Sequence, residues 1–138
     1  MSADPLAMLL RSFKLPTMAA RYAETLASAE EQNWGYRRFL QQLCEAEAAD
    51  RQERKRERLL KQSGLPAGKT FGTFDESKLP VKIARQLPTL LDGGFIERAE
   101  NLLAFGLPGR GKTHLLAALG RELILRHRYA VLLIPTYK

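Results

Sequence analysis

The sequence predicts an α/β protein, in which a helical N-terminal region precedes the first strand–helix–strand unit of a parallel sheet. Through the first 64 residues, apolar side chains recur at intervals of three and four, which is typical of amphipathic helices. Further along, two short apolar runs, Leu102–Phe105 and Val131–Ile134, flank a stretch of helical spacing from His114 to His127. Short apolar runs are typical of buried strands, and two strands joined through a helix are parallel with a right-handed crossover.

The helices of the N-terminal region are predicted from their end signals. Asp4 followed by proline is typical of a helix start, and Leu15-Pro16 ends that first helix. Thr17 is a candidate N-cap for a second helix. A long third helix is predicted from about Tyr36 to Gln62, with Gly64 as its stop.

The first half of the long helix carries an apolar stripe that is predicted to face a core. Cys44 borders this stripe and is interpreted as a small buried hydrophobe rather than a reactive thiol. The stripe consists of Tyr36, Phe39, Leu40 and Leu43.

Composition narrows the class of protein. A single cysteine in 138 residues excludes an internal disulfide and fits a reducing cytoplasm. The formal net charge of +7 favours contact with polyanions, nucleic acid first. No apolar run approaches the length of about 18 residues that a transmembrane helix needs, so no membrane association is expected.

Residues 106–113 match G-x-x-x-x-G-K-[ST], the pattern of a phosphate-binding loop known as the P-loop or Walker A motif. Glycines let backbone N–H groups converge on a phosphate, and the following helix adds its positive N-terminal end. Lys112 is predicted to reach the β- and γ-phosphates, and the Thr113 hydroxyl to bind Mg²⁺. The alternative is a glycine-rich turn that binds nothing. The predicted contact residues are Gly106, Leu107, Pro108, Gly109, Arg110, Gly111, Lys112 and Thr113.

The second half of the long helix is basic and has two possible interpretations. Glutamates interleave with the cations, so the run fits a solvated helix face stabilised by ion pairs. Alternatively, cations spaced by three and four residues would contact DNA phosphates without sequence preference. The candidates for that contact are Arg51, Arg54, Arg58 and Lys61.

Residues 65–80 are predicted to form a linker, because glycines and a proline punctuate them. Phe71 and Phe74 are its apolar anchors. They either attach the linker to the following domain or border the base of a nucleotide.

The chain resembles the IstB-like transposition helper proteins, which are AAA+ ATPases related to bacterial helicase loaders. The family also has a histidine after its Walker A motif, so the resemblance adds His114 to the nucleotide-binding residues. Beside the P-loop, the resemblance rests on Leu15 to Ala20, Trp34 to Leu40, Glu45 to Glu47 and Phe95 to Asn101.

The resemblance implies a domain organisation in which different parts of the chain have different functions. Residues 1–64 would form a helical domain for interaction, residues 65–80 a linker, and residues 81–138 the N-terminal part of an AAA+ type, parallel-sheet ATPase domain. Members of the family bind ATP with Mg²⁺, form homo-oligomers on DNA, and assist the transposase encoded in the same insertion sequence.

The sequence departs from the family pattern beyond the P-loop. After Thr113 the one acidic residue is Glu122, which lies within a predicted helix and not at a strand end. Phosphoryl transfer needs the metal held and the water oriented as well as the phosphates bound. The family resemblance implies a Walker B motif, a sensor residue and an arginine finger for these tasks, and all three are absent from this sequence. The chain is therefore expected to be a truncated form with no catalytic residue of its own, able at most to bind nucleotide. Alternatives are a helical DNA- or partner-binding module with a vestigial P-loop, and a helicase-loader ATPase of replication.

Overall fold

The computed structural model describes residues 3–106, 109 and 111–136. The chain divides into two compact units, residues 1–54 and 55–138, and one long helix continues from the first into the second. The helices are α1 (Pro5–Ser12), α2 (Pro16–Glu31), α3 (Tyr36–Ser63), α4 (Val81–Leu91), α5 (Gly94–Glu97) and α6 (Lys112–His127), with a 3-10 turn at Glu76–Lys78.

In the first unit, helix α1 begins where the sequence predicts. The Asp4 carboxylate accepts the Leu6 N–H at 3.0 Å and supplies the N-cap. Packing of α1 buries Ala7, whereas Leu9 and Phe13 remain exposed by 55% and 68%. Much of the apolar surface of α1 therefore faces solvent within this unit.

Helix α2 has no capping side chain of its own. Leu15 occupies the N-cap position, so the prediction that Thr17 caps the helix is wrong. The Thr17 hydroxyl instead donates to the Asp50 carboxylate of α3 at 2.9 Å. The cap comes from Glu47, whose buried carboxylate accepts the Met18 N–H at 2.9 Å.

Helix α3 has nearly the predicted bounds, but half of its four-residue apolar stripe is exposed. Gly64 has a φ of +72° and ends the helix, as the sequence predicts. Leu43 is buried, whereas Tyr36 and Leu40 are exposed by 95% and 55%. Cys44 is also exposed, so its predicted burial is wrong. The predicted stripe is therefore only partly buried within this unit.

The core of the second unit lies along helix α6. Gly120 lets other segments approach the helix closely, because a Cβ there would lie 3.3 Å from Val131 and 3.5 Å from Leu65. The Leu133 N–H also donates to the Ser63 carbonyl at 2.8 Å, which fixes residues 131–133 beside the end of α3. The buried residues of α6 are Ala117, Ala118, Leu119, Gly120, Leu123 and Ile124.

The predicted parallel sheet is not observed, and the α/β fold class is wrong for the part of the chain that the structure describes. Runs 102–105 and 131–134 lie outside the helices and form no strand in residues 3–106, 109 and 111–136. An extended segment becomes a strand only by exchanging a ladder of backbone hydrogen bonds. The two runs exchange none with each other among the described residues. Their apolar side chains are accordingly open, with Phe105 exposed by 87% and Ile134 by 69%.

Candidate phosphate-binding site

Two glycines just before α6 have backbone conformations that favour glycine. Gly109 and Gly111 have φ values of +81° and +77°, in the left-handed region that side chains disfavour. Gly111 is the N-cap of α6 and accepts the Leu115 N–H at 2.9 Å. The predicted contacts Leu107, Pro108 and Arg110 lie outside the described residues.

Helix α6 begins at the lysine of the motif. The first N–H groups of any helix lack intrahelical acceptors and lie at its positive end, where they favour an anion. Lys112 Nζ donates to the Gly106 carbonyl, so the ammonium group lies over the glycine loop. Thr113 is exposed in the first turn of the helix. The structure therefore brings Gly106, Gly109, Gly111 and Lys112 together at the start of α6.

His114 connects this first turn to Thr70 and Thr73, which precede α4 in the chain. Its Nε2 lies 2.9 Å from the Thr70 carbonyl and 3.1 Å from Thr73 Oγ1. Because a carbonyl only accepts, this geometry assigns the imidazole proton to Nε2. The contact is with the chain itself, which is a role that the sequence did not indicate.

Phe74 packs directly on the glycine loop. Its ring meets the His114 ring edge-on, with the centroids 5.1 Å apart and the planes at 76°. A Cβ on Gly111 would lie 3.2 Å from Phe74 Cε2. Of the two roles that the sequence left open for Phe74, attachment of the linker is the one that the contacts support.

The basic run of α3 contains cations with different surroundings. Arg51 Nε lies 3.6 Å from the Glu47 carboxylate, and the same side chain donates to the Lys14 carbonyl at 3.0 Å. Arg54 lies 3.4 Å from Glu47. Two of the predicted DNA contacts therefore belong to the ion-pair network of the first unit.

The remaining two candidates of the basic run lie in the second unit. Arg58 and Lys61 are exposed on α3. The structure shows no ion pair for either of them within the described ranges.

Sequence reasoning missed Glu47 as an organising residue. The sequence indicates its ion pairs through spacing, because Glu47 precedes Arg51 by one helical turn and Arg54 by about two. Burial separates it from the other glutamates of α3, and burial follows from the approach of α2, which a helical pattern alone does not specify.

An open groove of about 790 Å³ lies along α4 and α5 in the second unit. At one end, Arg98 donates to Glu100 at 2.5 Å. This hydrogen bond lowers the pKa of the Glu100 carboxyl and raises the pKa of the Arg98 guanidinium. Both groups are thus held charged, and they neutralise each other. The groove is lined by Val81, Lys82, Arg85, Gln86, Thr89, Leu90, Phe95, Arg98 and Glu100.

Within residues 3–106, 109 and 111–136, histidine, cysteine and carboxylate side chains do not form a group of three able to hold a metal ion. In the same ranges, no helix has the length and apolar character needed to cross a membrane.

Comparison with known proteins matches residues 8–137 to the family described as IstB-like ATP binding protein. The chain is 43% identical over 112 residues to an insertion-sequence (IS5376) ATP-binding protein of Geobacillus stearothermophilus, covering 81% of this chain and 45% of that one. It is 35% identical over 120 residues to an insertion-sequence ATP-binding protein of Sinorhizobium fredii, covering 86% and 40%. It is 37% identical over 118 residues to the IS21 ATP-binding protein of Pseudomonas aeruginosa, covering 83% and 43%.

The chain spans between 40% and 45% of the length of these three relatives. The family resemblance predicted from the sequence is confirmed, since the family match extends over residues 8–137 of 138. The protein belongs to the family of IstB-like ATP-binding proteins.

Proposed function

We propose that residues 106–114 bind the phosphates of ATP. The observation that carries this proposal is the pair of left-handed glycines, Gly109 and Gly111, leading into the N-terminus of α6. In this proposal the backbone N–H groups of the loop and of the first turn of α6 contact the phosphate oxygens. Lys112 exchanges the Gly106 carbonyl for the β- and γ-phosphates, which are stronger acceptors for an ammonium group.

We propose that Mg²⁺ arrives with the nucleotide and takes Thr113 as its protein ligand. The donor set fits, because the Thr113 side chain is exposed at the start of α6 and offers a hydroxyl oxygen. Mg²⁺ prefers oxygen ligands and keeps several waters beside the phosphate oxygens, so one protein ligand suffices for binding. When bound, the ion neutralises charge on the β- and γ-phosphates.

We further propose that this nucleotide binding serves DNA transposition. The names of the relatives place them in insertion sequences, which supports a role beside the transposase of the same element. In this proposal residues 1–64 contact partners, residues 65–80 link, and residues 81–138 bind nucleotide. The protein acts in the cytoplasm, and the full-length family member assembles as a homo-oligomer on DNA.

For DNA, the exposed cations of the second unit are better candidates than those of the first. All four cations are exposed, but Arg51 and Arg54 are paired with Glu47, whereas the described residues form no ion pair with Arg58 or Lys61. We propose that Arg58 and Lys61 contact phosphates without reading sequence, as exposed cations do.

Equilibrium binding of fluorescent ATP in the presence of Mg²⁺ tests the nucleotide proposal. The wild type should bind in the micromolar to millimolar range, and Lys112→Ala should weaken binding by roughly tenfold or more, because it removes a charge-assisted contact. Lys82→Ala, an exposed lysine of α4 in the same unit, is the matched control and should bind like the wild type. Equal affinity of the Lys112 variant and the wild type would leave the P-loop without a role and favour a helical binding module.

A further inference from the structure

The linker contains a closed turn, residues 68–74, which we call the threonine turn. Thr73 Oγ1 is its hub, because it donates to the Gly68 carbonyl at 2.6 Å and accepts the Thr70 N–H at 3.1 Å. The Thr73 N–H returns to Thr70 with two contacts of 3.3 Å, to the carbonyl and to the hydroxyl. The turn thus supplies hydrogen-bond partners for several of its own backbone groups without an adjoining strand or helix.

Two contacts attach the threonine turn to the first turn of α6. The His114 imidazole donates to the Thr70 carbonyl at 2.9 Å and lies 3.1 Å from the hub hydroxyl of Thr73. Phe74 packs edge-on against His114 and fills the space beside Gly111 that a side chain there would occupy. Both contacts fall on residues adjacent to the proposed phosphate contacts Lys112 and Thr113.

The hydrogen bonds of His114 are partly exposed, so each contributes only modestly to stability. The turn is therefore expected to open readily when the backbone of the glycine loop is not held in place. A phosphate bound to the glycine loop would fix the backbone from Gly111 to His114. Fixing that backbone also fixes the imidazole and the surface on which Phe74 rests. Occupancy of the phosphate site and closure of the threonine turn are therefore coupled through two side chains.

We propose that His114 is a positioning residue that transmits nucleotide occupancy from the P-loop to the threonine turn. The coupling rests on the proposed ATP binding, whereas the anchoring of the turn by His114 does not. The threonine turn is ordered when ATP is bound and opens more often when the site is empty. The linker thereby acquires a conformation that depends on nucleotide.

Two substitutions separate the hydrogen bond from the ring contact. His114→Phe keeps a ring against Phe74 and removes the donor, whereas His114→Gln keeps an N–H donor near the position of Nε2. His114 belongs to the proposed phosphate site through its backbone N–H, which both variants retain, and binding of fluorescent ATP by each variant checks that the site is occupied. Thr73→Val removes the hub hydroxyl with little change of volume and gives a second route to the open turn. Far-UV circular dichroism should show wild-type helix content for all three variants.

The readout is hydrogen–deuterium exchange of the backbone amides of residues 69–74, without nucleotide and with ATP and Mg²⁺. Without nucleotide, His114→Phe and Thr73→Val should raise exchange in this segment by about threefold to tenfold, as expected when one hydrogen bond is removed. Added ATP should slow exchange there in the wild type and in His114→Gln, and should have little effect in His114→Phe.

The outcomes distinguish the anchor, the coupling and the proposed function. Equal ATP protection of residues 69–74 in the wild type and in His114→Phe would overturn the coupling. Unchanged exchange in the empty His114→Phe protein would overturn the anchor itself. If the wild type binds no ATP, the proposed function and the coupling fail together, while the comparison of empty proteins still decides the anchor.

Discussion

Replacing Glu47 by alanine should destabilise the first unit more than the same replacement of any exposed glutamate of α3. The Glu47 side chain is only 5% exposed and accepts the Met18 N–H at 2.9 Å. This N–H lies in the first turn of α2, a helix whose own N-cap residue, Leu15, supplies no side-chain acceptor. A carboxylate of α3 therefore caps α2 from outside, and truncation removes both the cap and one of the hydrogen bonds between the two helices.

The magnitude follows from the contacts of Glu47. A hydrogen bond to a charged group contributes about 1.5–3 kcal/mol, and a carboxylate at a helix N-terminus contributes about 0.3–1 kcal/mol more. Arg51 and Arg54 are half exposed, so their ion pairs with Glu47 add less than about 1 kcal/mol. Glu47→Ala should therefore lower the free energy of unfolding by about 2–4 kcal/mol. Glu47→Gln, which retains an acceptor without the charge, should cost roughly half of that.

The assay is urea unfolding followed by circular dichroism, with Glu45→Ala as the matched control. Glu45 lies two residues earlier on α3, and its carboxylate accepts only an exposed Gln41 side chain in the described contacts. The control should change the free energy of unfolding by less than about 0.5 kcal/mol. If Glu47→Ala and Glu45→Ala unfold at the same urea concentration, the capping role of Glu47 is refuted.

Three further predictions concern the second unit. Replacing Arg58 and Lys61 by alanine should reduce the slope of log affinity for DNA against log salt concentration by about 0.9 for each phosphate that is no longer neutralised. Fluorescence anisotropy measures this affinity, and an unchanged slope would exclude both cations from the interface. Gly120→Val should lower the free energy of unfolding by about 1–3 kcal/mol, because even an added Cβ would lie 3.3 Å from a neighbouring side chain. An unaltered urea midpoint would contradict that packing. Burial and the Glu97 carboxylate raise the pKa of the Tyr129 phenol above its ordinary value of 10. An ultraviolet pH titration should show this, with Tyr129→Phe identifying the Tyr129 signal and Glu97→Gln lowering its pKa. A Tyr129 signal that titrates at or below 10 would contradict the contact.

The helices were the most predictable part of the fold, because their signals are local. The Asp4 cap, the Gly64 stop and the bounds of α3 depend on residues within one or two turns of each other. Helix α6 begins at Lys112, two residues before the start of the apolar spacing, because the glycine loop supplies its N-cap. Two glycines of the predicted loop, Gly109 and Gly111, have a left-handed backbone, whereas phosphate binding by the loop remains a prediction.

The failures concern features that depend on partners distant in sequence. An apolar run such as 102–105 indicates a strand only if another segment pairs with it, and the sequence pattern does not show whether that segment is present. The apolar stripe of α3 likewise indicates a side that could be buried, whereas packing against other segments decides that Leu43 is buried and Tyr36 is exposed. Glu47 and His114 acquire their contacts in the same way, from segments 29 and 44 residues away in the chain.

The position of the nucleotide tests the central proposal most directly, and nuclear magnetic resonance of the ¹⁵N-labelled protein can locate it. Titration with ATP and Mg²⁺ should shift the amide resonances of Gly109, Gly111 and Lys112 more than those of residues 81–100, which border the α4 groove. Adenosine, which lacks phosphates, should leave these loop resonances nearly unchanged. Shifts concentrated in residues 81–100, or equal shifts with adenosine and ATP, would contradict phosphate binding at the start of α6.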